Sequence, residues 1–538
     1  MFELILISGY KPRNQAEKIS HLMFMDDIKL YGANDHRLES LVNIVKRFSD
    51  DIQMNFGIKK CNKITIVRGK VKTTTNIVLE NGEEIKSLNN QEFYKYLGFS
   101  ERDTTASDTK MKLKTEYYLR LKKILKSELN SKNTINAINA YATPSLTYGF
   151  QVIDWSITEL EEIDRTTRTT LQKHHMMNNK SDITRLYLPR SKGGRGLVNI
   201  TNQYKNSIIK FSIYIQNTDE QLLQYVSNQQ LNRGQKSIHH KANKYCEELN
   251  LDLNETATKP QHQTKQILKA SRVQQQEKEL REKATHGQFL RTLEQQHIDK
   301  EASNLWLKSS SLKRATESTI CAIQEQAINT RYMKKHVYKT SDTDTCRACR
   351  TERETIYHII SGCSVLSATK YLKRHNDLAK CVHAILLKKY GFVETIVNWY
   401  EHQPRSVEEN DNAKILWDFS IQTDHEVRNN RPDIVVVEKS TQKVSLIDIA
   451  VPNDTNIADK RVEKIQKYTD LANEIKTLWQ ARKVNIIPIV VGCTGTFYKE
   501  FEKDLKKIDI FYDFKTCVAQ KIVLLGTAHI VRAFMNIA

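Results

Sequence analysis

Three sets of side chains in this sequence have the types and spacing that metal chemistry needs. Cys346-x2-Cys349-x8-His358-x4-Cys363 places three thiols and one imidazole within 18 residues, a soft-sulfur set of the kind that tetrahedral Zn²⁺ prefers. Farther on, Asp433 follows Arg431-Pro432, Asp448 follows Leu446-Ile447, and Lys464, Lys467 and Tyr468 come next at i, i+3 and i+4. Carboxylates that hold Mg²⁺, with a lysine to steady charge on a phosphate, are the parts of metal-assisted phosphodiester hydrolysis. The last set is the adjacent pair Asp26 and Asp27 in Phe24-Met25-Asp26-Asp27. Neighbouring carboxylates repel unless a cation offsets them, and two divalent ions about 4 Å apart are what nucleotidyl transfer uses.

The elements that must position these groups are legible in outline. His21-Leu22-Met23 and Ile28-Lys29-Leu30-Tyr31 flank the first aspartates as two short strands, so that pair sits at a hairpin turn. Met54-Asn55-Phe56-Gly57-Ile58-Lys59-Lys60-Cys61 leads into the alternating segment Ile64 to Gly69, and a further strand signal runs from Phe93 to Phe99. From about Thr109 to Gln216 the pattern is helical; Lys110 to Lys132 carries eight Lys or Arg against two Glu, interleaved with Tyr117, Tyr118 and Leu119. That gives one apolar face and one cationic face, with Lys112 and Lys122 on the latter. The loop Arg185 to Leu197 has four cations, three glycines and no acid, and its Arg190, Lys192 and Arg195 suit a phosphate-backbone cradle. Leu222 to Lys339, rich in Gln, Lys, Glu and Ala with the single proline Pro260, reads as a helical connector. Beyond the cysteines, Ile434 to Val437 and Val444 to Val451 form a strand and its return, Ile457 to Ala481 a helix, and Asn485 to Val491 a closing strand.

Taken in order, these motifs resemble the carboxy-terminal portion of a non-LTR retrotransposon polyprotein of the restriction-like-endonuclease type, over nearly the whole chain. The hairpin, the Gly-Ile-Lys-Lys segment and Tyr94-Lys95-Tyr96-Leu97-Gly98 resemble the final palm motifs of reverse transcriptases. The resemblance implies metal at Asp26 and Asp27, triphosphate contact at Lys60 or Lys63, and primer contact near Tyr94. Cys346 to Cys363 resembles the CCHC element of these retrotransposons, with Arg347 and Arg350 beside the metal and able to meet phosphate; Tyr371-Leu372-Lys373-Arg374-His375-Asn376 matches the same neighbourhood, His375 being read as structural. The Asp433 and Asp448 pair resembles the PD-(D/E)xK nucleases with one departure, Ala450 where the lysine is usual. In the retrotransposon endonucleases that lysine is displaced onto the following helix, which Lys464 and Lys467 match together with Arg428, and Glu426 on a preceding helix would add a ligand. The implied function is target-primed reverse transcription: an RNA-directed DNA polymerase and a Mg²⁺-dependent DNA endonuclease, acting in the nucleus on a DNA target site and the element RNA. The palm's third aspartate and its fingers are expected upstream of the hairpin, where Met1 to Ser20 has no Asp; a truncated, inactive polymerase is the expectation.

Composition supports a polyanionic partner. Lys and Arg number 83 against 63 Asp and Glu, a formal charge of +20, and such a surplus binds phosphates through counterion release. Nine cysteines in 538 residues are too sparse for a disulfide framework, and isolated thiols such as Cys493 read as buried packing residues. With no apolar run of about 18 residues recognised and no leader pattern, an intracellular protein without a membrane span is expected. The fold class is α+β multidomain: truncated palm over 1–100, helical basic thumb over 101–215, helical connector over 216–340, CCHC knuckle region over 341–385 and α/β PD-(D/E)xK-like nuclease over 386–538. Two rivals stay open, a non-catalytic nucleic-acid-binding remnant and a structural zinc protein.

Overall fold

The computed structural model describes residues 9–11, 18–54, 57–89, 92, 94–101, 106–510 and 514–536. Expectations resting on Asn55, Phe56 and Phe93 lie outside them. The chain divides into two compact units. One comprises Met1–Thr115, Gln151–Asp154 and Phe211–Lys241; the other comprises Glu116–Phe150, Trp155–Lys210 and Ala242–Ala538.

In the first unit, β1 (His21–Phe24) and β2 (Asp27–Leu30) form the expected hairpin around Met25 and Asp26. Among the described residues this sheet has two strands. Helix α1 (Asp35–Asp51) begins where Asn34 accepts from the Arg37 amide, and its Leu41, Val42 and Val45 are buried. They share small cores with Ile77, Leu79 and Ile85 and the neighbouring Leu30 and Ile28. Short strands follow: β3 (Asn62–Lys63), β4 (Thr65–Val67), β5 (Lys70–Lys72), β6 (Ile77–Val78), β7 (Glu84–Ser87), β8 (Tyr94–Tyr96) and β9 (Phe99–Glu101). They belong to three separate small sheets, β3-β7-β6, β4-β5 and β8-β9.

The second unit is organised around a five-stranded sheet in the order β10 (Val407–Glu409), β11 (Ala413–Trp417), β12 (Ile434–Glu438), β13 (Lys443–Ala450) and β14 (Lys483–Val490). The first four strands form an antiparallel meander; β14 lies parallel to β13. A parallel neighbour needs a crossover, here α2 (Ile457–Lys467) and α3 (Thr469–Leu478). The sequence reads as one helix from Ile457 to Ala481, but it breaks at Tyr468, whose fully buried side chain turns inward to bond Asp448. No Gly or Pro announces the break; a tertiary hydrogen bond makes it.

Alternation along the central strands sorts two cores. Ile434, Val436, Ile447 and Ile449 face one core, while Val435, Val444 and Leu446 face another with Tyr468, Leu471 and Ile475. Helix α4 (Leu372–Lys389) packs in the first core through Leu378, Val382, Ile385 and Leu386. Helix α5 (Thr516–Met535) is long and apolar enough to cross a membrane by length and composition, which corrects the expectation of no such segment. Its Ile522 and Val523 enter the sheet core, and Ile530, Val531 and Phe534 the core of the cysteine cluster.

The two stretches read as helical from sequence are helical, from the Ser156–Glu159 capping box of Ile157–Lys173 to the helix Gln261–Glu282. The boundaries drawn at 340 and 385 are not breaks in packing. Ala322 and Ile323 from the connector, the cysteine cluster and α5 share one core.

Candidate metal centres

The register that pairs Ile434 with Ile447 brings Asp433 opposite Asp448 one position beyond the ladder. Both share the alternation of Val435 and Leu446 and so face the core that holds Tyr468. Asp448 is 2% exposed. Its Oδ1 accepts from the Tyr468 hydroxyl at 2.7 Å, and Lys467 Nζ lies 3.8 Å away. Its Oδ2 lies 2.5 Å from Lys464 Nζ, an ion pair without hydrogen-bond alignment, so this buried oxygen keeps unused accepting capacity. Of the two lysines on α2, Lys464, not Lys467, makes the close contact with Asp448.

Asp433 is held differently. Its Oδ2 accepts from the Ile449 amide at 2.6 Å and faces His375 Nε2 at 3.2 Å. His375 also faces Ile449 O at 3.1 Å and, through Nδ1, Asn376 Oδ1 at 3.0 Å. All three neighbours are acceptors, which suits a doubly protonated ring. Burial opposes that charge, but the hydrogen bond and field of Asp433 outweigh it and push His375 up to about 9. On Asp433 burial likewise opposes ionisation, and the His375 bond and charge still hold the carboxyl below its ordinary range. His375, read from sequence as a structural neighbour of the knuckle, is therefore part of this site. Its one signal was a polar Arg374-His375 pair near the start of a helix whose Leu378, Ala379 and 381–387 are buried. Two carboxylates that the register sets opposite each other suit a hard divalent cation in donor chemistry.

The cysteine set converges as its spacing requires. The ligand atoms of Cys346, Cys349, His358 and Cys363 lie within 4.8 Å of one another. A tetrahedral Zn²⁺ with sulfur at ~2.3 Å needs ligand separations of about 3.8 Å, so the four can hold a zinc-like ion. It is the one group of three or more His, Cys, Asp or Glu among the described residues that converges in this way. Cys346 and Cys363 are fully buried, and Cys349 Sγ lies 3.4 Å from His358 Nε2. Burial opposes ionisation of Cys349, yet hydrogen bonds from Thr351 and the local backbone bring its thiol down to about 6.

Several expected phosphate contacts are used up inside the protein. Arg195 is 3% exposed, with Nε donating to Glu317 at 2.9 Å and Nη2 to Ser131 at 2.8 Å. Arg190 forks onto the same carboxylate at 2.9 and 3.0 Å. The acid missing from their loop comes from the helix Arg314–Gln324, distant in sequence. Gly194 serves packing: a Cβ there would meet Leu188 O at 2.1 Å. Arg347 is likewise internal, forked onto the buried Glu354 at 3.0 and 2.9 Å. Lys63 is 2% exposed and paired with Asp35 at 3.0 Å, which removes it as a triphosphate contact. Glu426 lies on an irregular exposed loop, with no helix beneath it.

Others remain at the surface. Asp26, Asp27, Lys60, Lys112, Lys122, Arg350 and Arg428 are exposed. Lys192 is half exposed and 3.7 Å from Glu277, and Tyr94 is partly buried beside Tyr96 with ring centroids 6.4 Å apart. Compared with protein-family models and with curated proteins, the chain matches none.

Proposed function

We propose that this chain is the endonuclease-bearing part of a retrotransposon-type RNA-directed DNA polymerase. In this reading it nicks duplex DNA with Mg²⁺ at Asp433 and Asp448 and holds zinc in the cysteine cluster. One observation carries the reading. Four cationic or hydroxyl side chains, drawn from α4, α2 and the break after α2, meet two aspartates that a strand register sets opposite each other. A purely structural strand end needs no such convergence, and carboxylates partnered in this way gather at functional sites.

Magnesium bound there supplies the positive charge that draws a phosphate and lowers the pKa of a water. The protein's own groups do the rest. Asp433 and Asp448 would hold the ion; His375 and the Ile449 amide fix the Asp433 carboxylate; Lys464, beside Asp448 Oδ2, would meet negative charge building on the phosphate. Tyr468 fixes the orientation of Asp448. The net charge of +20 favours DNA and RNA as partners, and exposed Lys112, Lys122 and Arg350 are surfaces for them. Asp26 and Asp27 belong in this reading to a polymerase palm, and the nucleus is the place of action.

A second reading, a nucleic-acid-binding remnant with idle sites, draws on the fact that Lys464 and Tyr468 already partner Asp448. Nicking of supercoiled plasmid by the purified chain separates the two. Mg²⁺-dependent conversion to the open circle, lost in Asp433→Asn, supports the nuclease. Salt-sensitive DNA binding without cleavage under Mg²⁺ or Mn²⁺ supports the remnant.

A further inference from the structure

One helical turn joins the two centres. Tyr371, at the start of α4, has its hydroxyl 3.1 Å from His358 O and 2.8 Å from Ile359 O and accepts from the Cys363 amide at 3.0 Å. It thus gathers the backbone between two of the cluster's ligands. Three residues on, Arg374 is 2% exposed and sends Nη2 to Ile360 O at 2.9 Å, inside the same ligand loop. That nitrogen also lies 3.4 Å from Val451 O, just past the end of β13. The next residue, His375, holds Asp433 Oδ2 and Ile449 O.

The arrangement is tightly built. Arg374 Nη1 donates to Thr527 Oγ1 at 2.7 Å, and Thr527 donates to Cys493 O at 2.6 Å. Gly526 makes room for the arginine stem, since a Cβ there would lie 2.7 Å from Arg374 Cγ. A buried guanidinium whose bonds go to carbonyls and a hydroxyl, with no carboxylate bonded to it, is costly to keep. Its bonds tie the ligand loop to the strand carrying Asp448 and Ile449, so displacement of that loop pulls on the same turn that aims His375.

We propose that the Tyr371–His375 turn couples the two centres, so that metal in the cysteine cluster strengthens divalent-cation binding at Asp433 and Asp448, with Arg374 as the positioning residue. This rests on reading those aspartates as a metal site. A ligand that orders its own loop stabilises whatever that loop braces, and by linkage the effect is reciprocal.

The test measures Mn²⁺ binding to the full chain by electron paramagnetic resonance, zinc-loaded and after zinc removal. It is read alongside hydrogen exchange at the Ile449 amide, the donor to Asp433 Oδ2. Zinc removal is expected to weaken Mn²⁺ binding roughly 5- to 150-fold, the range of typical site-site couplings, and to speed exchange at Ile449. Mn²⁺ should raise zinc affinity by the same factor. Tyr371→Phe and Arg374→Lys leave the four ligands in place; they should bind zinc stoichiometrically yet lose most of the coupling. If Arg374→Lys does not fold, Tyr371→Phe decides alone. Equal Mn²⁺ affinity with and without zinc, with Ile449 exchange unmoved, overturns the coupling while leaving the aspartate site intact. Absence of Mn²⁺ binding, indifferent to Asp433→Asn, instead removes the aspartate site and the coupling with it.

Discussion

Two aspartate pairs look alike as sequence and differ in what surrounds them. Asp26 and Asp27 project from an exposed two-strand hairpin. Asp433 and Asp448 come from adjacent strands, are set opposite each other by register, and are met by His375, Lys464, Lys467 and Tyr468. A carboxylate on a wet turn is solvated wherever it points, whereas a buried one must be oriented and compensated by protein. The difference teaches that motif resemblance and site assembly are separate facts. The cationic side chains divide the same way: Arg190 and Arg195 serve one buried glutamate, while Lys112 and Lys122 stay in water.

The largest effect should come from the aspartates themselves. Asp433→Asn and Asp448→Asn are expected to lower plasmid nicking by roughly 10³-fold or more, beyond the loss of a single oxyanion donor, while Asp26→Asn and Asp27→Asn leave it unchanged. Nicking that falls with the hairpin variants and survives the buried ones would reverse the comparison.

Lys464→Met should cost about 10²-fold in nicking, as removal of a charge-stabilising donor does. It should also cost about 3–5 kcal/mol of stability, because the buried Asp448 loses its close cation. Lys467→Met, at a side chain 31% exposed and 3.8 Å from the carboxylate, should do much less of both. Equal effects of the two in plasmid assays and urea melts would remove the distinction drawn here between the lysines.

In the cationic comparison, Arg195→Ala should destabilise the chain by about 3–5 kcal/mol, since Glu317 loses a buried partner, with no change in the salt dependence of nucleic-acid binding. Lys122→Ala should leave stability within about 0.5 kcal/mol and lower the salt slope of binding by about 1 if it meets a phosphate. A salt slope that moves with Arg195 and not with Lys122 would restore the phosphate-cradle reading of the Arg185 to Leu197 loop.

Zinc loss should reach beyond the cluster. Cys349→Ser is expected to lower zinc content and, because Ile359 and Ile360 share a core with Ala322 and Phe534, to lower the main thermal transition and not only a local one. A full zinc complement in the variant, or an unchanged transition after zinc loss, would separate the cluster from the fold.

A last prediction concerns pH. His383 is buried against His402, 2.8 Å apart; burial and then the neighbouring ring push its pKa down to about 3. The unfolded ring titrates near ~6.5, so the unfolded state binds the proton first. Stability from this residue is complete above that value and is lost as pH falls toward about 3. His383→Asn should flatten the urea-midpoint profile across that window; an unchanged slope would show that the pair does not titrate on unfolding.

Much of this was local and therefore legible. The strand, return strand and closing strand around Asp433 and Asp448 follow from apolar runs, and the cysteine cluster follows from spacing alone, since four ligands within 18 residues leave the backbone few ways to keep them apart. The order of the motifs and the +20 charge are likewise properties of the chain as a string. What tertiary structure decided is where long-range partners fall. Glu317 took Arg190 and Arg195 from the surface, Tyr468 broke a helix that periodicity continues, and His375 reached Asp433 across 58 positions of sequence. Alternation and helical period report which face of an element is apolar, not which distant side chain meets it there. A buried charge chooses its partner from whatever packing brings within about 3 Å, and that choice is made only when the sheet and its helices close.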